Sequence, residues 1–515
     1  MDYFKKYRSD TIGAGANQKH FSTGGQAVTG RVFFRVTAGG CHRYSFLFTN
    51  VIDSTYYDGR ESHADLICDQ WELLSIKAAV CTPGEYARLG GSGNYDFKAL
   101  TFGGNAKKTV MPGEFYYTDE TELSPKAEDY IVLELTVNGP MIPYHEESIL
   151  HIYRRGEQGF VPDKRMPVPA MVGCDRPVKY RLGYLGDSIT QGIGVPWNSY
   201  THWNAVTTRL LGPDCGCWNL GIGFARAEDA ARDGAWLFKA KQCDGVVLCL
   251  GVNDVCQGRH TAMQIEQDLE HIVDVLKENG VRVLLQTLPP FNFEGDMLER
   301  WIQVNGFIRT VLSEKADAFF DTVPVLGDKN GHPEKAVYGG HPNTRGSAEW
   351  GKALFPHLLR FTGLDAPAKK EVPAELTALN RERMTRGLTI LGSDGERRVQ
   401  SLERGVAPLL LMVESGENLA GFSVADKAVG RAAAFLYVLL GVKAVYAPII
   451  SVGAEKLLSE NGIDAYAELT VAAMVNRDCT DFCPMEQAVA VTDDPAEALA
   501  LIREKKKSME RQNGQ

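Results

Sequence analysis

Between residues 178 and 361 the chain alternates apolar runs of strand length with amphipathic stretches of helical length, and this alternation limits the fold more than any other feature. The runs are 182–185, "CWNLGI" at 217–222, "GVVLCLG" at 245–251, "VRVLLQTL" at 281–288 and "AFFDTVPV" at 318–325. Helices are expected near 199–211, 226–240, 262–279, 297–316 and 344–361. Strands that are apolar throughout need cover on both faces, so the alternation predicts a parallel sheet with helices on either side. Ligands of such sheets bind beyond the carboxyl ends of the strands, which directs attention to the loops that follow each run.

Four polar signals occupy those loops. Ser188 stands in "GDSIT", where Gly186 permits a sharp turn and Asp187 precedes the serine. The helix expected to follow would aim its amides and positive dipole end at the hydroxyl, a setting that suits a nucleophile. Asn219 opens "NLGIGF", in which Gly221 and Gly223 let the backbone approach a ligand closely. Asn253 in "GVND" lies beyond a fully apolar run and can offer its amide. His341 in "HPNTRG" precedes the last helix of the region, where a base is needed. A serine alone reads as a helix cap. A hydroxyl, a base and hydrogen-bond donors at successive strand ends are the parts that acyl transfer requires.

The ordered set resembles the SGNH, or GDSL, hydrolase superfamily over roughly residues 178–361. The resemblance implies a flavodoxin-like three-layer α/β/α domain with Ser188 as nucleophile and His341 as general base. It also implies an oxyanion hole built from Asn253 and the Ser188 N–H. Two positions depart from the family pattern. The family's N-x-x-x-x-G form places Phe224 where a glycine is usual, so the remaining donor is the N–H of Phe224 or of Gly223, and Gly223 is preferred for its conformational freedom. The family's aspartate three residues before the histidine is replaced by Tyr338. The imidazole must then be oriented by a backbone carbonyl or by an acid such as Asp321, Asp328 or Glu334, and a mis-set tautomer costs up to about 10⁴ in rate in the protease template.

The flanking regions read differently. Residues 1–165 carry short β-rich runs between polar turns, among them "RVFFRV", "YSFLF", "WELLSIKAAV" and "IVLELTV", which predict a β-sandwich resembling carbohydrate-binding modules. The Pro- and Gly-rich stretch 157–177 reads as a linker to a hydrolase domain over 176–364, and 363–376 reads as a second linker. Residues 376–515 resemble a small prokaryotic domain of unknown function with a cytidine-deaminase-like fold. Zinc deaminases need H-x-E with P-C-x-x-C. No histidine follows His357, and Glu486 stands where the second cysteine belongs, so this region is expected to hold no zinc. Asp426, Lys427, Arg431, Asn476, Arg477, Cys483 and Glu486 are read as lining a ligand pocket or as helix caps and surface charge.

A formal net charge of −10 argues against a nucleic-acid partner, which would call for clustered Lys and Arg. No signal-peptide pattern or membrane-length apolar segment is present, and 11 cysteines at irregular spacings fit reduced thiols, which together point to a cytoplasmic protein. Cys215 and Cys217 have no second pair nearby, and His63, His145 and His151 show no ligand spacing, so neither a metal nor a cofactor is expected. Trp197, Trp203 and His202 are read as pocket lining or as packing. The expected function is hydrolysis of short acyl esters, O-acetyl groups on carbohydrate among them, on a small-molecule or oligosaccharide substrate. The same residues suit an acyltransferase, or a weakly catalytic ligand-binding or regulatory protein, and a homo-oligomer is left open.

Overall fold

The computed structural model describes residues 2–54, 63–257 and 260–513. The chain forms two compact units, 1–367 and 368–515. Within the first unit, the runs beyond residue 178 build a five-stranded parallel sheet from Tyr180–Gly186, Cys215–Gly221, Gly245–Cys249, Arg282–Gln286 and Ala318–Phe320. Numbered along the chain, these strands lie in the order 2-1-3-4-5, the doubly wound flavodoxin-like arrangement. Leu182, Leu185, Val246, Val247, Leu284 and Leu285 are all buried, as strands covered on both faces require.

The expected helices appear with informative differences. Trp203–Leu211, Ala262–Glu278 and Thr344–Thr362 form as the periodicity predicts. The stretch 226–240 breaks into Ala227–Ala231 and Ala235–Ala240, separated at Asp233, which takes a left-handed φ of 57°. The apolar run at 318–325 extends only to Phe320 as a strand, and Val323–Leu326 turns into a short helix with proline in its first turn. The helix after Ser188 is a single turn, Ser188–Gln191, capped by Asp187 and ended by Gly192 in the left-handed conformation.

The region before the parallel sheet is built mainly on two antiparallel sheets, of five and seven strands, and also holds two small two-stranded ones. Val28–Arg35, Trp71–Cys81 and Tyr130–Asn138 lie side by side in the larger, and His42–Thr49 organises the smaller. Phe33, Tyr130, Val132, Cys81 and Tyr95 form one buried cluster there. The stretch read as a linker carries two strands: Gly159–Pro162 pairs with His151–Gly156, and Met171–Cys174 pairs with His42–Thr49 and Arg8–Ser9.

The second unit has its own core around Phe422, Phe435, Leu436 and Ile450 and a five-stranded mixed sheet. Its polar candidates are engaged locally. Asp426 accepts from the Tyr437 hydroxyl at 2.6 Å, Glu486 accepts from the Arg431 N–H at 3.1 Å, and Asn476 accepts from the Thr480 N–H at 2.9 Å. No helix among the described residues is long and apolar enough to cross a membrane. All 11 cysteines are free thiols.

Candidate active site

Ser188 begins its helical turn directly beyond the strand Tyr180–Gly186. The Asp187 carboxylate accepts from the Ile189 N–H at 2.9 Å and so fixes the bend on which the serine stands. The end of the neighbouring strand is pressed against this turn: a Cβ added to Gly221 would lie 2.2 Å from the Gln191 nitrogen, so only glycine fits. Asp187 is fully buried, and burial pushes its carboxyl up to about 7.

His341 reaches the same point from 153 residues further along. Its Nε2 lies 2.7 Å from the Ser188 Oγ. The loop that delivers it is a tight hairpin in which Val337 pairs with His341 across Tyr338, Gly339 and Gly340. Asn343 then caps the helix Thr344–Thr362 by accepting from the Arg345 and Gly346 N–H groups. The hairpin turn carries Tyr338 at φ 46° and Gly339 at φ 78°, both left-handed. That conformation turns the Tyr338 carbonyl back onto the ring, 2.7 Å from Nδ1. A carbonyl oxygen only accepts, so Nδ1 carries the proton and Nε2 presents its lone pair to the serine hydroxyl.

None of the acids considered from sequence meets the ring. Asp321 is bound by Arg309 and Thr287, Asp328 accepts from the Asn330 and His332 amides, and Glu334 is exposed. Among the described residues no carboxylate hydrogen-bonds to His341. Burial lowers the His341 pKa below its ordinary 6.5, and the Tyr338 carbonyl partly offsets this. The Phe291 ring stands edge-on to the imidazole at 5.0 Å.

Asn253 follows Gly251, which takes φ 126°, and donates one Nδ2 proton to the Ala225 carbonyl at 2.9 Å, leaving the second proton of that amide. The Gly223 N–H donates to the Gln191 Oε1. Phe224 holds φ 62°, a glycine-like conformation, and its N–H has no acceptor among the described residues. The Ser188 N–H is likewise without one. Asn219 is engaged with main-chain groups. Its side chain donates to the Ile12 and Gln191 carbonyls and accepts from the Gly221 N–H, locking the turn.

Three residues the sequence did not single out hold this turn from behind. Gln191 donates to the Glu147 carbonyl while accepting from Gly223. Gln18 donates to the Gly223 carbonyl at 2.8 Å and to the Glu147 carboxylate at 3.1 Å, and accepts from the Glu147 N–H at 3.0 Å. Gln191 lay within "GDSITQG" and was legible as part of that block. Gln18 and Glu147 belong to the sheet-rich region and carry no local signal. Of the aromatic candidates, Trp203 is buried and stacked on Trp350 at 4.5 Å, and His202 is buried. Trp197 is 57% exposed with the Lys164 ammonium 4.1 Å above its ring.

A 2-1-3-4-5 parallel sheet covered by helices, with Ser188 directly beyond the carboxyl end of one strand, is the flavodoxin-like α/β/α fold of the SGNH class. Residues 184–348 match the GDSL-like Lipase/Acylhydrolase family. Residues 379–506 match a domain of unknown function, DUF1893. Among solved structures, a family two carbohydrate esterase from Cellvibrio japonicus is 14% identical, with 69% of this chain and 97% of that chain covered and a TM-score of 0.30. A catalytic mutant of an acetylxylan esterase from Geobacillus stearothermophilus is 22% identical over 37% of this chain and 97% of its own, with a TM-score of 0.30. A DUF1893 family protein from Thermotoga maritima is 26% identical over 27% of this chain and 97% of its own, with a TM-score of 0.25. No curated protein matches the sequence.

Proposed function

We propose that the protein is a serine esterase acting on short acyl esters through Ser188 and His341. The observation that carries this reading is the 2.7 Å contact between Ser188 Oγ and His341 Nε2, with Nδ1 held by the Tyr338 carbonyl. In the reaction, the Ser188 oxygen attacks the ester carbonyl while Nε2 takes its proton. The tetrahedral oxyanion accepts from the Ser188 and Phe224 N–H groups and the free Nδ2 proton of Asn253. His341 then protonates the departing alcohol, and a water activated by the same ring releases the acid and restores Ser188. The orienting function that the family gives to an aspartate falls to a main-chain carbonyl. Gln18, Gln191 and Glu147 are positioning residues that hold the 219–224 turn.

O-acetyl groups on carbohydrate fall within the proposed substrate class. Gly194 packs against His341 and Pro342, and Trp197 follows three residues later with its indole exposed, a surface on which a sugar ring can stack. The test is hydrolysis of p-nitrophenyl acetate and of acetylated xylo-oligosaccharides by the wild type, Ser188→Ala and His341→Ala. Turnover by the wild type that both variants lose supports the esterase. Acetyl transfer to an added alcohol in preference to water makes the protein an acyltransferase, and equal background from all three identifies a binding protein.

A further inference from the structure

A half-open cavity of about 260 Å³ lies in the first unit, away from the ester site: neither Ser188 nor His341 is among its lining residues. It is slightly below the usual size of ligand pockets, roughly 300 to 1,000 Å³. Strands of the sheet-rich region form one wall, and the helix Trp203–Leu211 forms the other through Ala205, Thr208 and Arg209.

Three guanidinium groups line it, from Arg35, Arg176 and Arg209, against one carboxylate, Glu128. Glu128 bridges two of them: Arg35 Nε is 2.9 Å from its Oε2, and Arg209 donates to its Oε1. Arg176, with a side chain only 6% exposed, leans 3.5 Å from the Asp10 carboxylate behind the wall and donates to the Pro213 and Cys215 carbonyls. Counting Asp10, three positive groups face two negative ones, so one positive charge is left over. The Arg209 side chain is 21% exposed, but its Nη1 is buried without a hydrogen-bond partner among the described residues, and an unsatisfied buried donor costs stability. Ile12, Val36, Ala38, Ala127 and Ala205 give the lining an apolar stretch, and Thr37, Thr208 and Tyr200 add hydroxyls.

We infer that this cavity is a binding site for a small monoanionic carboxylate, whose oxygens pair with the arginine cluster while a short hydrocarbon chain covers the apolar wall. A guanidinium fork suits the two oxygens of a carboxylate. Phosphate carries the same kind of oxygen but has no apolar part to cover that wall. This inference is independent of the esterase reading.

Calorimetric titration of the full chain with sodium butyrate, acetate and phosphate tests it. Butyrate is expected to bind saturably, one per chain, and more tightly than acetate or phosphate. Arg209→Gln should weaken it at least about tenfold, the range for a charge-assisted hydrogen bond. Ala38→Leu should do the same by filling the cavity without altering a charge, and it decides the matter if Arg209→Gln fails to fold. His341→Ala should leave butyrate binding unchanged. The inference is overturned if butyrate does not saturate, if phosphate binds in its place, or if butyrate binding is lost in His341→Ala but kept in both cavity variants.

Discussion

At the scale of single residues, the imidazole at 341 is held in one tautomer by an atom that every residue possesses. Tyr338→Ala keeps that carbonyl, so kcat on p-nitrophenyl acetate is expected to change by less than about tenfold, far from the roughly 10⁴ that a lost orienting acceptor costs in the protease template. Ser188→Ala is expected to lower turnover at least about a thousandfold. As the proposed base His341 must be neutral, and burial lowers its pKa from 6.5, so the acid limb of kcat/KM should have its midpoint below that value in a pH–rate profile. Asp187 shifts the other way. Its carboxyl rises from 3.8 to about 7 on folding, so its contribution to stability is complete below 3.8 and is lost as pH climbs through 7. Asp187→Asn retains an oxygen for the Ile189 N–H and should flatten the unfolding free energy over that interval in urea titrations at stepped pH.

At the scale of elements, two short turns do the work that longer segments do elsewhere. The 219–224 turn needs a left-handed residue at its end, and Phe224 occupies that conformation at φ 62°. Phe224→Gly should therefore keep both the N–H and the turn, with stability within about 1 kcal/mol of wild type because relief of the left-handed strain offsets the added backbone entropy. Phe224→Pro removes the donor and forbids the conformation, and kcat should fall by about 10² to 10³, the cost of one oxyanion donor. Measuring both variants separates the amide from the side chain. The periodicity of the long helices was legible in the sequence because burial of one face repeats every 3.6 residues. The break at Asp233 was not, since an amphipathic pattern continues across a left-handed residue that the pattern cannot register.

At the scale of the whole molecule, the turn beside the serine is supported by residues outside the hydrolase segment. Gln18 is about 200 positions from Gly223, yet its amide is bonded to that carbonyl. Gln18→Leu leaves the Gly223 carbonyl without this donor, and a loss of about 1 to 3 kcal/mol in stability is expected, together with a fall in kcat at little changed KM. Every residue proposed to act on the ester lies within 1–367. A chain cut after Pro367 is therefore expected to retain the kcat/KM of the full protein, measured on the same acetate ester.

The order of strands and helices from 178 to 361, and the polar letters at the strand ends, were written in the sequence, because apolar periodicity and side-chain chemistry are properties of residue types. Which acceptor orients His341 and which distant side chains brace the turn were decided only in the folded chain. The reason is physical: those contacts run through main-chain carbonyls and amides or through pairings hundreds of residues apart, and no letter of the sequence distinguishes one backbone amide from the next until folding fixes its direction.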